Sequence, residues 1–201
     1  MCGIYTVNMG QTFTILGIAG SLRKASYNRA LLRAAQQLAP DGVQVETFEL
    51  DGIPPFNQDE EANPPAIVTE LKSRIRAADA LLLVTPEYNY SIPGVLKNAI
   101  DWASRPYGDS AWNDKPVAVM GASVGPQGTS RAQYHLRQIF VLLNMHAISH
   151  PEVMVGNASQ RFDENGNLVD ETSKAYVVKS LKRLVQWAHQ LQTGREAHPN
   201  P

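Results

Sequence analysis

The apolar positions of this chain fall into short continuous runs and helically spaced stripes, and the two patterns alternate along its length. Phe13-Thr14-Ile15-Leu16-Gly17-Ile18 is rich in β-formers and ends at Gly20-Ser21, so it predicts a buried strand that delivers the chain into a loop. From Asn28 to Leu38, Leu and Ala recur at helical spacing until Ala39-Pro40-Asp41-Gly42 stops them, and Val43-Gln44-Val45-Glu46-Thr47-Phe48 then alternates as a strand does. A Pro-rich connection around Ile53-Pro54-Pro55-Phe56 leads to a helix predicted over 65–77, with Pro65 in the first turn, where a missing N–H is tolerated. Ala80-Leu81-Leu82-Leu83-Val84 is apolar at every position, which places it in mid-sheet with both faces covered. A loop over 85–92, a helix over 93–104, a strand over 116–121, a Gly-rich loop and a helix through about Leu143 follow. A strand over 147–155 and a closing helix over 173–191 complete the order.

Strands alternating with helices imply right-handed crossovers and a doubly wound α/β sheet with helices on both faces. Five parallel strands predict the flavodoxin-like order 2-1-3-4-5, whose ligand site lies beyond the carboxyl ends of the strands where the order reverses. With 201 residues the chain fits one such domain, assigned to 12–192, with residues 1–11 as an extension, Met9 as an alternative start, and 193–201 as a polar tail. A formal net charge of -1 gives no electrostatic footprint for nucleic acid or an anionic membrane surface. Cys2 is the single cysteine, which excludes an internal disulfide and any multi-cysteine metal site and fits a reducing compartment. No apolar run approaches the roughly 20 residues that span a bilayer, and no secretory signal is recognisable, so the expectation is cytoplasmic.

Three loops fall at the predicted rim. The first, Gly20 to Asn28, joins a buried strand to a helix start, so its amides and the helix N-terminus suit a phosphate, with Ser21, Ser26 and Asn28 as donors and Arg23 as the cation. The competing reading is that Ser26 or Asn28 caps the helix while Arg23 and Lys24 are solvated. A dinucleotide fold fits less well, because G-x-G-x-x-G is missing and no acidic residue ends the second strand where a ribose would need it. The second loop, Thr85 to Gly94, mixes Tyr88 and Tyr90 with amide and hydroxyl groups, a composition suited to a planar amphiphilic ring or to a rigid strand-to-helix turn. The third, Gly121 to Arg131, carries Gly121, Gly125 and Gly128, which permit close backbone approach to a ligand edge or simply a tight turn.

Gly20-Ser21-Leu22-Arg23-x-x-Ser26-x-Asn28 and Pro86-Glu87-Tyr88-Asn89-x-Ser91-x-Pro93-Gly94-x-Leu96-Lys97-Asn98-x-x-Asp101-Trp102 together resemble the NADPH-dependent FMN reductase family, especially its chromate and quinone reductase branch. The resemblance follows the element order from about residue 13 to 190. It implies non-covalent FMN with Ser21, Arg23, Ser26, Tyr27 and Asn28 at the phosphate, Pro86, Glu87, Tyr88 and Asn89 along the isoalloxazine, and Ser123 and Gly125 at its far edge. It implies ping-pong transfer, in which NADPH or NADH gives hydride to flavin N5 and a small acceptor then replaces it. Quinones, chromate, azo compounds, ferric chelates and free flavin are the acceptors it suggests. The flavin carries the chemistry, so no catalytic side chain and no metal are assigned. Family members assemble as dimers or tetramers, which suggests a homodimer or homotetramer, with Lys97, Ile100 and Trp102 at a dimer contact and Arg131, Tyr134 and Glu152 at a tetramer contact.

Two decoys and two rivals complete the reading. Met1-Cys2-Gly3-Ile4 resembles the start of class II glutamine amidotransferases, but the α/β alternation after residue 12 is not their layered fold. His146 and His150 stand four apart, yet Pro151 and the strand pattern argue against a shared helix face and a metal site. An electron-carrier flavodoxin is the main rival, although such carriers depend on an acidic docking face that this balanced charge does not suggest. A flavin-binding module without turnover is the other.

Overall fold

A computed structural model describes residues 12–197. The assigned extension, Cys2 and Met9 lie outside the described residues. The elements are β1 (Phe13–Ala19), α1 (Tyr27–Gln37), β2 (Val43–Phe48), α2 (Ala66–Ala77), β3 (Ala80–Val84), α3 (Gly94–Ala103), β4 (Pro116–Ala122), α4 (Ser130–Leu142), β5 (His146–Ala147), β6 (Val153–Val155) and α5 (Glu171–Ala197). Every strand pairing is parallel and the order is β2-β1-β3-β4-β5, with β6 also on β4. This is the flavodoxin-like arrangement expected from the sequence.

Alternation along the central strands sorts the core into two layers. Ile15, Leu82 and Val84 point to one side, where Leu31 of α1 and Val177, Leu181 and Leu184 of α5 cover them. Leu16, Ile18, Leu81 and Leu83 point to the other, against Leu71 and Ile75 of α2, Leu96 of α3 and Leu136 and Phe140 of α4. All five residues of β3 are buried, as a central parallel strand requires.

Three expectations need correction. The fifth strand is not continuous over 147–155: His146–Ala147 pairs with the start of β4, the chain leaves the ladder, and Val153–Val155 rejoins its end. Pro151 lies in the gap and has no N–H to give a ladder. The last helix starts at Glu171 and continues to Ala197, so residues 193–197, expected in a polar tail, are helical. Its start is set by Asp170, whose carboxylate accepts from the Ser173 N–H at 2.8 Å and hydroxyl at 2.6 Å. Finally, Ile100 and Trp102 are buried within the chain, so of the three α3 residues suggested for a dimer contact Lys97 alone is exposed. Trp102 packs edge-on against Phe56 and donates from Nε1 to the Pro54 carbonyl, while Asn98 takes the Phe56 N–H and returns a bond to Pro54. The hydrophobic pattern marks Ile100 and Trp102 as apolar but is silent on which apolar stripe meets the 54–56 segment.

Several carboxylates are held below their ordinary range by partners present in the folded chain. Bonds from Lys72 and Arg76 do this to Asp109, a bond from His146 and the charge of Arg195 to Asp114, and bonds from Ser173 and then Arg161 to Asp170. A lowered folded value means stability that is present above the unfolded carboxylate range and lost as pH falls through the folded values. The melting temperature is therefore expected to stay level from pH 7 to about 5 and to drop below about pH 4, with a shallower drop in Asp114→Asn, as a thermal-melt series will show.

Candidate functional site

Parallel neighbours β1, β3 and β4 end at the same rim, and hydrogen bonds join their exits. The Gly20 amide donates to the Val84 carbonyl and the Thr85 amide to the Met120 carbonyl, both at 2.9 Å. Asn28 makes the third link: its buried side chain donates from Nδ2 to the Ala122 carbonyl at 2.9 Å and accepts the Ala122 N–H at 2.8 Å. From sequence Asn28 belongs to the phosphate donors. In the fold its amide faces inward, pinning the start of α1 to the end of β4.

The first loop separates the remaining candidates by role. Ser26 is the N-cap of α1, its Oγ accepting from the amides of Asn28 and Arg29, which leaves its hydroxyl proton to donate elsewhere. Among the described residues, the amides of Ser21 to Ala25 and of Tyr27 have no acceptor within the chain. The first turn of α1 contains no acidic residue, so its dipole is not neutralised there. Arg23 and Lys24 are exposed without an ion-pair partner among the described residues, and the Arg23 guanidinium stands 5.9 Å from the Tyr27 ring centre. Tyr27 in turn packs on Phe162.

The second loop is fixed by a contact that the sequence does not announce. Glu87 is directed at the N-terminus of α4, where Oε2 accepts from the amides of Arg131 at 2.9 Å and Ala132 at 3.2 Å, and Oε1 takes the Arg131 guanidinium at 2.5 Å. Its side chain is 6% exposed, so the carboxylate serves as a helix cap supplied from 44 residues away. Pro86 is buried, with its carbonyl taking the Thr85 hydroxyl. Tyr88, Asn89 and Tyr90 are exposed.

In the third loop the glycines divide. A Cβ on Gly121 would meet Thr129 Oγ1 at 1.8 Å and the Thr85 carbonyl at 2.4 Å, and one on Gly128, whose φ is +61°, would meet the Met154 backbone at 2.9 Å. Both are small because protein packs on them. Gly125 differs: its nearest neighbour is Ser123 Oγ at 3.7 Å, so the space outside it is open. Its amide is taken by Ser123 Oγ at 3.2 Å, which turns the Ser123 side chain along the loop.

Leu22, Tyr88, Tyr90 and Val124 are large apolar side chains left exposed on these loops, contributed by all three of them. The rim thus brings together amides and a guanidinium without partners among the described residues and exposed apolar groups, a combination that suits a phosphorylated planar ligand such as FMN. A cavity of about 930 Å³ lies at the opposite edge of the sheet among Thr12, Asp79, Lys115 and Arg195. Burial there pushes the Lys115 ammonium down, and it is spent on the carbonyls of Arg76 and Ala78. None of the loop residues lines that cavity. His146, which the sequence pattern argues against as a metal ligand, bonds Asp114 at 3.0 Å.

A family model for NADPH-dependent FMN reductases matches residues 13–160. The chain belongs to this family. It is therefore an FMN-dependent NAD(P)H oxidoreductase. It is 49% identical to a NAD(P)H-dependent FMN reductase of Pseudomonas aeruginosa over 185 residues, covering 91% of this chain and 99% of that one. A 2-hydroxy-1,4-benzoquinone reductase of Burkholderia sp. is 42% identical over 170 residues, covering 85% and 93%. Among solved structures, the NAD(P)H:(acceptor) oxidoreductase FerB of Paracoccus denitrificans superposes with a TM-score of 0.82 at 36% identity, over 89% of this chain and 98% of that one.

Proposed function

We propose that the chain binds one FMN per subunit, non-covalently, on the three-loop rim, and uses NADPH or NADH to reduce quinones and other small acceptors in a ping-pong cycle. The observation that carries this reading is the meeting, at one rim, of exposed apolar groups with amides and an Arg23 guanidinium that have no partner among the described residues. The quinone specificity named for the Burkholderia relative supports that acceptor class. Chromate, azo compounds, ferric chelates and free flavin belong to the same proposed range.

Bound FMN supplies the redox couple. The chain's own part is placement. Arg23 and the amides of residues 21–25 and Tyr27 hold the phosphate, assisted by the α1 dipole and by the Ser21 and Ser26 hydroxyls. Backbone groups of Pro86, Glu87, Tyr88 and Asn89 border the ring, and Ser123 and Gly125 border its far edge. The Glu87 carboxylate contributes by fixing that backbone and not by touching the ring. No side chain is assigned as acid, base or nucleophile.

A homodimer or homotetramer remains the proposed assembly. The exposed Tyr134, with Glu152, is a candidate for a tetramer contact; Arg131 is already engaged by Glu87 within the chain. Among the described residues no helix is long and apolar enough to cross a membrane, and the cytoplasm is the proposed compartment.

Replacing Arg23 by Gln is expected to weaken FMN binding about 30-fold, or about 2 kcal/mol, by removing a charge-assisted bidentate contact. The apo melting temperature should not move, because Arg23 is exposed; fluorescence titration and thermal melts check the pair. The function is tested by anaerobic stopped-flow. Each nicotinamide should bleach the bound flavin and a quinone should restore it. A flavin inert to both nicotinamides would instead identify an electron carrier.

A further inference from the structure

Cations in this chain are mostly neutralised close at hand. Among the described residues, Lys and Arg side chains either pair with a carboxylate, as Arg29 does with Glu49 and Lys174 with Glu171, or donate to a backbone carbonyl, as Arg33, Lys115 and Arg137 do. The exceptions fall in two places. Arg23 and Lys24 stand in the first loop, at the proposed phosphate site. Lys179, Lys182 and Arg183 stand on α5, where no carboxylate or carbonyl among the described residues takes them; Arg183 meets only the Gln190 amide oxygen, at 3.4 Å, and the Trp187 ring.

Positions 179, 182 and 183 share one face of α5, and like charges one turn apart destabilise a helix. Nothing on the helix offsets them, since α5 carries no carboxylate between Glu171 and Glu196. The cluster is therefore poorly explained by stability. It borders a groove of about 610 Å³ between α5 and the β5–β6 connection, which contributes His150 and Pro151. Pro151 is buried and Val178 half-buried, so they supply an apolar floor, while Lys179, Lys182 and His150 are exposed around it. The volume lies within the roughly 300–1,000 Å³ of small-molecule sites. A concave, apolar floor ringed by unpaired cations suits an anion that also carries an apolar part.

We propose that this groove is a second ligand site, which binds a nucleoside polyphosphate with its phosphates on Lys179, Lys182 and Arg183 and its base against Pro151 and Val178. Three adjacent cations match a chain of phosphates better than a single one. The floor is aliphatic and offers no hydrogen bonds to a base edge, so purine nucleotides are equivalent ligands. None of the groove residues belongs to the three rim loops, so the site is separate from the one proposed for FMN.

The test is a calorimetric titration of the protein with ADP, in low salt and with FMN in excess, so that the rim is not open to the probe. One ADP should bind per chain with a dissociation constant of about 0.1 mM, and added KCl should weaken it. Pyrophosphate should bind more weakly than ADP, and adenosine should not bind. The double variant Lys179→Gln, Lys182→Gln is expected to lose about tenfold in ADP affinity, and Lys179→Gln alone about threefold. Both side chains are exposed, so the melting temperature should stay within about 2 °C. KM for NADPH should not change, because the groove is separate from the rim. Failure of ADP to bind, or unchanged ADP affinity in the double variant, overturns the proposal. Pyrophosphate binding as tight as ADP overturns the nucleoside assignment, and binding to phosphatidylserine vesicles in place of ADP makes the patch a membrane contact. A rise in KM for NADPH that parallels the loss of ADP gives the groove to the co-substrate, and dissociation of an oligomer in the variant gives it to a second copy; either overturns a separate site. A protein that binds ADP as expected but no FMN contradicts the functional reading alone.

Discussion

Asn28→Ala is expected to destabilise the apo protein by about 2–4 kcal/mol, because it leaves both polar groups of the buried Ala122 peptide positions without a partner. Water cannot substitute readily, since Asn28 is 3% exposed and Ala122 is equally enclosed. The same side chain is what holds the first loop to the third. FMN binding should therefore fall by more than the loss of any single contact to phosphate would produce. Asn28→Asp discriminates between losing the link and losing the side chain: it keeps the acceptor for the Ala122 N–H but sets a carboxylate against the Ala122 carbonyl, and should be at least as damaging. Urea unfolding of the apo forms and FMN titration of the folded fraction measure the two effects separately.

Gly121→Ala should be of similar size, about 3 kcal/mol, for a different reason. The added methyl group would sit 1.8 Å from Thr129 Oγ1 and 2.4 Å from the Thr85 carbonyl. Thr129 is fully buried and its hydroxyl is bonded by Gln133 Nε2 at 3.0 Å, so the side chain has nowhere to go, and the Thr85 carbonyl is backbone. The strain must separate β3 from β4 at the point where both enter the site. Gly125→Ala is the control. Open space surrounds it and its φ is not positive, so its apo stability should change by less than about 0.5 kcal/mol. Comparable losses from the two substitutions would mean that the loop glycines are selected for something other than packing.

The fold was legible because its strands are short apolar blocks set off by Gly, Pro and Asp, and because β3 carries no polar residue to blur its burial. Where the reading went astray, a non-local contact decided the matter. Pro151 could signal a break in the fifth strand, but that both halves would pair with β4 depends on the third dimension. Helix α5 runs past Leu191, and there Arg195 reaches the carbonyl of Asp114, 81 residues earlier, a contact no local pattern announces. At the site, the loops and the cap at Ser26 were readable from local chemistry. The inward amide of Asn28 and the clamp of Glu87 on α4 were not, because each joins residues 94 or 44 positions apart with no motif connecting them. A carboxylate in a ligand loop looks like a ligand contact until its partners are seen.

The account stands on the three-loop rim holding FMN, and the direct measurement is a fluorescence titration of the apo protein with FMN. One equivalent should quench per chain with a dissociation constant at or below the micromolar range, and inorganic phosphate should compete for it. Failure of FMN to bind at micromolar concentration, or full-strength binding by Arg23→Gln, would contradict the account.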